Sequence, residues 1–255
     1  MRAVRVARLD ILLCWGGAWQ SGRASVRSSV WSGLGRALLP QDCVLCGAAS
    51  GAWPLCPPCR ADLPALPAQC PRCADASLDG SVCGACLRAA PPFDATHAAW
   101  RYEFPADRLV HALKFRARLA LAAFFGSVLA ARFPPGAADL VVPMPLHRLR
   151  LAERGFNQAA EIARHMARAT RTPFAPALAV RLRPTLPQSD LPHAERAGNV
   201  RGAFRCHADL RGRRVAVVDD VMTSGATLAE LARALKRAGA ARVENWVVTR
   251  TLKHV

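Results

Sequence analysis

Val217-Val218-Asp219-Asp220-Val221-Met222-Thr223-Ser224-Gly225-Ala226-Thr227-Leu228 is the stretch whose reading decides the fold. An apolar strand delivers two adjacent acids, then a loop of small residues, then a helix. The start of such a helix is an anion site, because its unpaired N–H groups and the positive end of its dipole converge on one point. Thr223, Ser224 and Thr227 add hydroxyl donors, Gly225 admits a close approach or a positive φ, and Ala226 leaves room. Acids would repel a bare phosphate, so the pair makes sense for a ligand with hydroxyls beside its phosphate. A ribose cis-diol facing the acids, with its 5′-phosphate in the loop, meets both requirements. An ordinary βα turn capped by Asp or Thr would explain one acid, but not two followed by four small residues. No G-x-x-x-x-G-K-[ST] occurs in the chain, which excludes a Walker loop.

Outward from this stretch, strand and helix signals alternate from Phe93 to the C-terminus, as in a parallel or mixed sheet covered by helices. Strands are expected over Thr96–Phe104, Asp139–Val142, Ala177–Leu182, Arg214–Val218 and Val243–Thr251. Helices are expected over Ala106–Phe115, Leu119–Arg132, Asn157–Ala169 and Thr227–Ala238. In the last of these, Leu228, Leu231, Ala232 and Leu235 form one apolar stripe, read as core. Leu186–Asn199 reads as a polar, proline-punctuated connection.

A second cluster follows the strand that ends at Pro143. Arg148, Arg150 and Arg154 lead into Gly155-Phe156-Asn157-Gln158 and then a helix. Ligands of open α/β sheets bind beyond the carboxyl ends of the strands, and arginines there can neutralise a pyrophosphate. Solvated arginines of a basic protein are the plain alternative for any one of them.

Residues 217–228 resemble the phosphoribosyl pyrophosphate motif of type I phosphoribosyltransferases, with Ser224 where a second threonine is often seen. Leu113-Lys114-Phe115, the Arg154–Gln158 block, Gln188, Leu191, Arg196, Asn199 and Ala203-Phe204 complete a resemblance to the ComF family, running from about Cys43 to the C-terminus. The resemblance implies a type I phosphoribosyltransferase-like (Rossmann-like) α/β sheet with helices on both faces, plus a small N-terminal cysteine-rich zinc-binding module. It implies that Asp219 and Asp220 hold the ribose hydroxyls as the catalytic pair, and that Thr223, Ser224, Gly225, Ala226 and Thr227 hold the 5′-phosphate. Magnesium would accompany the pyrophosphate, with Arg148, Arg154 and Arg196 as its contacts. Residues 188–199 fall where the family fold carries a loop that closes over substrate.

Eight of the ten cysteines form four C-x-x-C pairs: Cys43/Cys46, Cys56/Cys59, Cys70/Cys73 and Cys83/Cys86. Each such turn presents two thiolates to one ion, and two turns complete a four-thiolate zinc site with Zn–S near ~2.3 Å. Up to two structural zinc ions follow, with linear and interleaved pairings both open. Disulfides, an iron–sulfur centre and redox C-x-x-C compete, but regularly spaced pairs beside a cytosolic-type fold favour metal. Too few large apolar residues lie between 41 and 92 for a core, so that module depends on metal to fold.

The organisation expected is therefore a basic disordered leader over 1–40, a zinc module over 41–92 and a phosphoribosyltransferase-like domain over 93–255. Arg2, Arg5 and Arg8 before a short apolar run imitate a signal peptide, but Asp10 interrupts the run and no small-x-small cleavage site follows. No segment has the roughly 20 apolar residues of a membrane span, and a cytoplasmic location is expected.

Thirty-five Lys+Arg against 18 Asp+Glu give a net charge of +17, which favours polyanionic partners, although an Ala/Arg/Pro-rich composition also follows from GC-rich coding. Two functional readings stand. One is phosphoribosyl transfer to an acceptor that no residue identifies. The other, implied by the resemblance, is binding of phosphoribosyl pyrophosphate and single-stranded DNA in support of DNA uptake, with cytoplasmic DNA-processing and helicase partners. Aromatics at 6%, with a single tyrosine, weaken base stacking as a large contribution to the second.

Overall fold

In the computed structural model, which describes residues 41–184 and 196–252, four parallel strands carry the fold. They are β3 (Ala95–Arg101), β4 (Leu140–Pro143), β7 (Arg214–Met222) and β8 (Arg242–Arg250), in the order β3-β8-β7-β4. Their side chains alternate between two apolar layers, as the two-residue strand period requires. Val141, Ala216, Val218, Trp246 and Val248 meet α4 (Ala120–Arg132) and α6 (Gln158–Thr170) on one face. Val142, Val215, Val217, Val243 and Val247 meet α8 (Ala226–Arg237) on the other, through Leu228, Leu231 and Leu235. The α8 stripe is core, as its spacing predicts. Helices α4 and α6 cross closely at Gly126, where a Cβ would lie 2.6 Å from that of His165.

One strand end differs from expectation in a way that matters. The sequence reading stops the strand at Val218, yet β7 runs on to Met222, because β8 keeps pairing with it through Val221↔Thr249 and Met222↔Arg250. β4 leaves β7 at the Pro143↔Val218 pair. The acids therefore sit inside a strand whose other edge has just been released. In this domain the sequence reading does not anticipate α5 (Arg148–Arg154), α7 (Arg196–Val200) or β6 (Phe204–Cys206), which pairs antiparallel with β5 (Ala179–Arg181), the core of the strand expected over Ala177–Leu182. The leader over 1–40, Gln188 and Leu191 lie outside the described residues, as does most of the connection that begins at Leu186.

The cysteine segment is built twice on one plan. A short antiparallel pair, β1 (Gln41–Asp42) with β2 (Ala49–Gly51), frames the first turn, where Gly47 N–H donates to the Cys43 carbonyl (2.8 Å). Ala74 N–H donates to the Cys70 carbonyl in the same way (2.9 Å). Each second pair opens a short helix with its first cysteine at the N-cap: Cys56 before α1 (Pro57–Ala61) and Cys83 before α2 (Gly84–Arg88). The apolar content missing from this segment comes from its neighbour: Cys43, Leu55, Cys56 and Leu63 share one core with Trp100, Phe124 and Phe125.

Candidate functional site: a buried acid pair, an anion loop and two thiolate clusters

Beyond the carboxyl ends of β4 and β7 lies a cavity of about 560 Å³. Asp219, Asp220 and the whole of 223–227 line it, along with Lys114, Arg150, Arg154 and Arg181. Gly225 is the N-cap of α8 with φ +79°, and the Ser224 hydroxyl accepts from Ala226 N–H at 3.3 Å. The loop hydroxyls and the first turn of α8 thus border this cavity, the arrangement a helix N-terminus offers to an anion.

The two acids have unlike surroundings. Asp220 Oδ2 receives the Lys114 ammonium at 2.7 Å, while its Oδ1 accepts from Val221 N–H at 2.8 Å. Asp219 Oδ1 accepts from Asp220 N–H at 2.9 Å. Burial first, and then the adjacent Asp220 charge, push the Asp219 carboxyl well above the usual carboxylate range, against the opposing pull of Lys114. The pair is suited to accept hydrogen bonds from ligand hydroxyls while carrying little net charge beside a phosphate.

The arginines differ in what they reach. Arg154 lies over the Phe115 ring at 5.4 Å and donates to Gln158 Oε1 at 2.6 Å. Burial lowers its pKa, with the Asp220 charge opposing, although a guanidinium remains cationic. Arg150 also lines the cavity, whereas Arg148, in the first turn of α5, is exposed and does not. Much of the Arg154–Gln158 block is helix punctuation: Gly155 ends α5 at φ +79°, and the Asn157 side chain caps α6 while donating to the Met144 carbonyl at 3.0 Å. Arg196 opens α7, and its side chain lies outside the described residues.

Sequence reasoning assigned no site role to Arg181, and Lys114 entered it only as one letter of a family pattern. Arg181 stacks on Phe204 at 5.6 Å; burial lowers its pKa while Asp219 opposes. No helix pattern singles out Lys114: on α3 (Ala106–Arg116) its neighbours one turn back are Val110 and His111, and Asp107 lies a turn beyond them.

The eight thiols gather into two groups, Cys43/Cys46/Cys56/Cys59 and Cys70/Cys73/Cys83/Cys86, with the sulfurs of each group within 4.8 Å of one another. The pairing is linear. Cys46 Sγ lies 3.7 Å from Cys56 Sγ, and Cys73 Sγ lies 3.7 Å from Cys83 Sγ. That is far beyond a disulfide bond and close to the tetrahedral edge of roughly 3.8 Å implied by Zn–S near 2.3 Å. Burial raises the Cys43 thiol, but the N–H groups of Cys56, Cys46 and Leu45 outweigh it and bring it to about 6. Cys70 falls to about 7 in the same manner, through the N–H groups of Cys83, Cys73 and Arg72. Both groups fit structural zinc: four thiolates, backbone donors aimed at sulfur, and no open position.

Comparison with known proteins agrees with this geometry. Residues 34–87 match the double zinc ribbon domain and residues 151–253 the phosphoribosyl transferase domain. The DNA utilization protein YhgH of Escherichia coli (strain K12) is 34% identical over 224 residues, covering 84% of this chain and 99% of the relative. The chain belongs to the ComF family. Competence protein F of Haemophilus influenzae is 28% identical over 207 residues, covering 77% of this chain and 90% of that relative. Among solved structures, glutamine phosphoribosylpyrophosphate amidotransferase from B. subtilis is 22% identical with a TM-score of 0.35, covering 49% of this chain and 25% of the other. Purine phosphoribosyltransferase from Pyrococcus horikoshii is 16% identical with a TM-score of 0.32, covering 62% and 89%. This ComF-family chain therefore joins a phosphoribosyltransferase-type sheet to two structural zinc sites, and its relatives are named for DNA utilization and competence. No helix among the described residues is long and apolar enough to cross a membrane.

Proposed function

We propose that this ComF-family protein binds phosphoribosyl pyrophosphate with magnesium in the cavity at 219–227, and handles single-stranded DNA in the cytoplasm during DNA uptake. The observation that carries the reading is the buried Asp219–Asp220 pair directly abutting the 223–227 loop within one cavity. Hydroxyls facing the acids, a 5′-phosphate in the loop and a pyrophosphate toward Arg150, Arg154 and Arg181 would use the acids, the loop and three of the basic side chains that line the cavity. Magnesium would enter on the pyrophosphate and neutralise it.

Support for the DNA half comes from the names of the relatives and from a second cavity of about 680 Å³. Arg108, His111, Arg116 and Arg118 line it where α3 meets the first thiolate cluster. Backbone phosphates of a single strand suit such a lining, and affinity would fall steeply with salt. DNA-processing proteins such as helicases would take the strand onward.

Transfer of the ribosyl group to an acceptor is the second reading, favoured by the apolar rim of the first cavity. Phe115 is 63% exposed there, beside Tyr102 and Leu149. A flat acceptor could stack on that rim.

Titration calorimetry of phosphoribosyl pyrophosphate with Mg²⁺, into wild type and into Asp219→Asn/Asp220→Asn, tests the proposal. Binding by wild type that disappears in a folded double variant supports the site and justifies an acceptor screen. Absence of binding to wild type removes both the ligand assignment and the transferase reading.

A further inference from the structure

Arg250 is the last residue of β8 and is 2% exposed, a guanidinium enclosed by protein on all sides. Its Nη1 donates to the carbonyls of Met222 (3.2 Å), Thr223 (2.5 Å) and Thr251. Its Nε donates to the Cys73 carbonyl at 2.9 Å, and Nη2 lies 3.7 Å from Asp75 Oδ2. Cys73 belongs to the second thiolate cluster, and the Asp75 carbonyl accepts from Cys70 N–H at 2.8 Å. One rigid, planar side chain therefore holds both the back of the anion loop and the backbone of a metal knuckle.

Peptide geometry gives this contact a direction. In a trans peptide the C=O of one residue and the N–H of the next point opposite ways. Drawing the Met222 and Thr223 carbonyls back toward Arg250 turns the N–H groups of Thr223 and Ser224 the other way, toward the cavity that both residues line. A buried guanidinium is costly to desolvate, and only good geometry to several acceptors offsets that cost. Those acceptors come from both sites, so displacing either set loosens the other. A lysine could reach one carbonyl but cannot span them, because its ammonium is a point rather than a fork.

We propose that Arg250 is a positioning residue that presets the anion loop and couples it to the second zinc cluster. Zinc at Cys70/Cys73/Cys83/Cys86 and phosphate at 223–227 then strengthen each other's binding, while the first cluster stays outside the coupling. The proposal rests on the reading of the loop as a phosphate site and of the thiols as zinc ligands.

Two measurements on the full chain test it. In the first, zinc release to a chromogenic chelator is followed with and without phosphoribosyl pyrophosphate and Mg²⁺, using Cys43→Ser to identify the phase belonging to the second cluster. Release from that cluster should slow about tenfold, within the usual range for coupled sites, and release from the first should not change. Arg250→Lys should retain zinc and lose the protection. Equal protection of both clusters, or of neither while the ligand binds, overturns the proposal.

The second measurement needs no ligand, and so separates this proposal from the ligand assignment. Amide hydrogen exchange of 223–226 should accelerate about tenfold when Cys83→Ser empties the second cluster, and should stay unchanged when Cys43→Ser disrupts the first. Unchanged exchange in Cys83→Ser overturns the coupling even where phosphoribosyl pyrophosphate binds.

Discussion

Lys114 Nζ lies 2.7 Å from Asp220 Oδ2, a contact that brings the last turn of α3 onto the acid pair in β7. Lys114 is the ion-pair partner that makes two adjacent buried carboxylates tolerable. The ammonium offsets one charge, and the raised pKa of Asp219 relieves the other. The cavity can then present hydrogen-bond acceptors to hydroxyls without a doubly negative wall facing phosphate.

Replacing this cation should therefore be costly. Lys114→Met leaves the acids buried without a counter-ion and is expected to lower stability by about 3 kcal/mol near neutral pH. Acidification lets a carboxyl take up a proton instead, so the deficit should narrow as pH falls. Denaturant titrations at about pH 5 and about pH 8 read this directly, and an equal deficit at both would exclude the ion pair as its origin.

Asp219 predicts a pH dependence of its own. A carboxyl raised by burial and a like charge contributes stability in its protonated form. That contribution is full below the unfolded value of about 3.9 and is lost as pH rises through the elevated folded value. Asp219→Asn removes the titration, so its stability relative to wild type should increase as pH rises from about 4 to about 8. Phosphoribosyl pyrophosphate binding should weaken in the same protein, because an amide cannot give up its N–H protons, whereas the carboxyl can ionise and accept from ligand hydroxyls with both oxygens. Melting temperatures across that pH range, alongside calorimetry, check both halves.

Linear pairing of the thiols makes a stoichiometric prediction. Wild type should carry two zinc ions per chain, Cys43→Ser/Cys56→Ser should keep one, and Cys43→Ser/Cys70→Ser should keep none. Interleaved pairing reverses the two variants. Elemental analysis of purified protein decides, and chelation that strips both ions should unfold the ribbon segment, whose apolar residues cannot hold it alone.

What was legible in the sequence was local. The acids, loop and helix of 217–228 are contiguous, and the C-x-x-C pairs announce their ligands, so both were identifiable without coordinates. Lys114 meets Asp220 across 106 residues of chain, and Arg250 meets Cys73 across 177, and no periodicity encodes such encounters. The strand end at Met222 was missed for a related reason. Asp219 and Asp220 are poor strand formers by propensity, and their extended backbone is imposed by pairing with β8. Zinc pairing was open because spacing limits reach but does not choose a partner; the repeated knuckle-then-helix plan chooses it.

Gly225 separates backbone conformation from site chemistry. Its φ of +79° is left-handed, and an added Cβ would stand 2.6 Å from Met222 Cε. The methionine methyl can swing aside, but the dihedral cannot relax without moving the loop. Gly225→Ala should cost about 1–2 kcal/mol in stability. It should also weaken phosphoribosyl pyrophosphate binding about tenfold or more, because the N–H groups of Ala226 and Thr227 turn with the loop. Gly212 is the matched control, with φ +72° and nothing within 4 Å of an added Cβ, away from the cavity. Gly212→Ala should show a comparable stability loss with unchanged affinity. Equal affinity losses in the two variants, measured by calorimetry, would mean that general destabilisation rather than loop geometry governs binding.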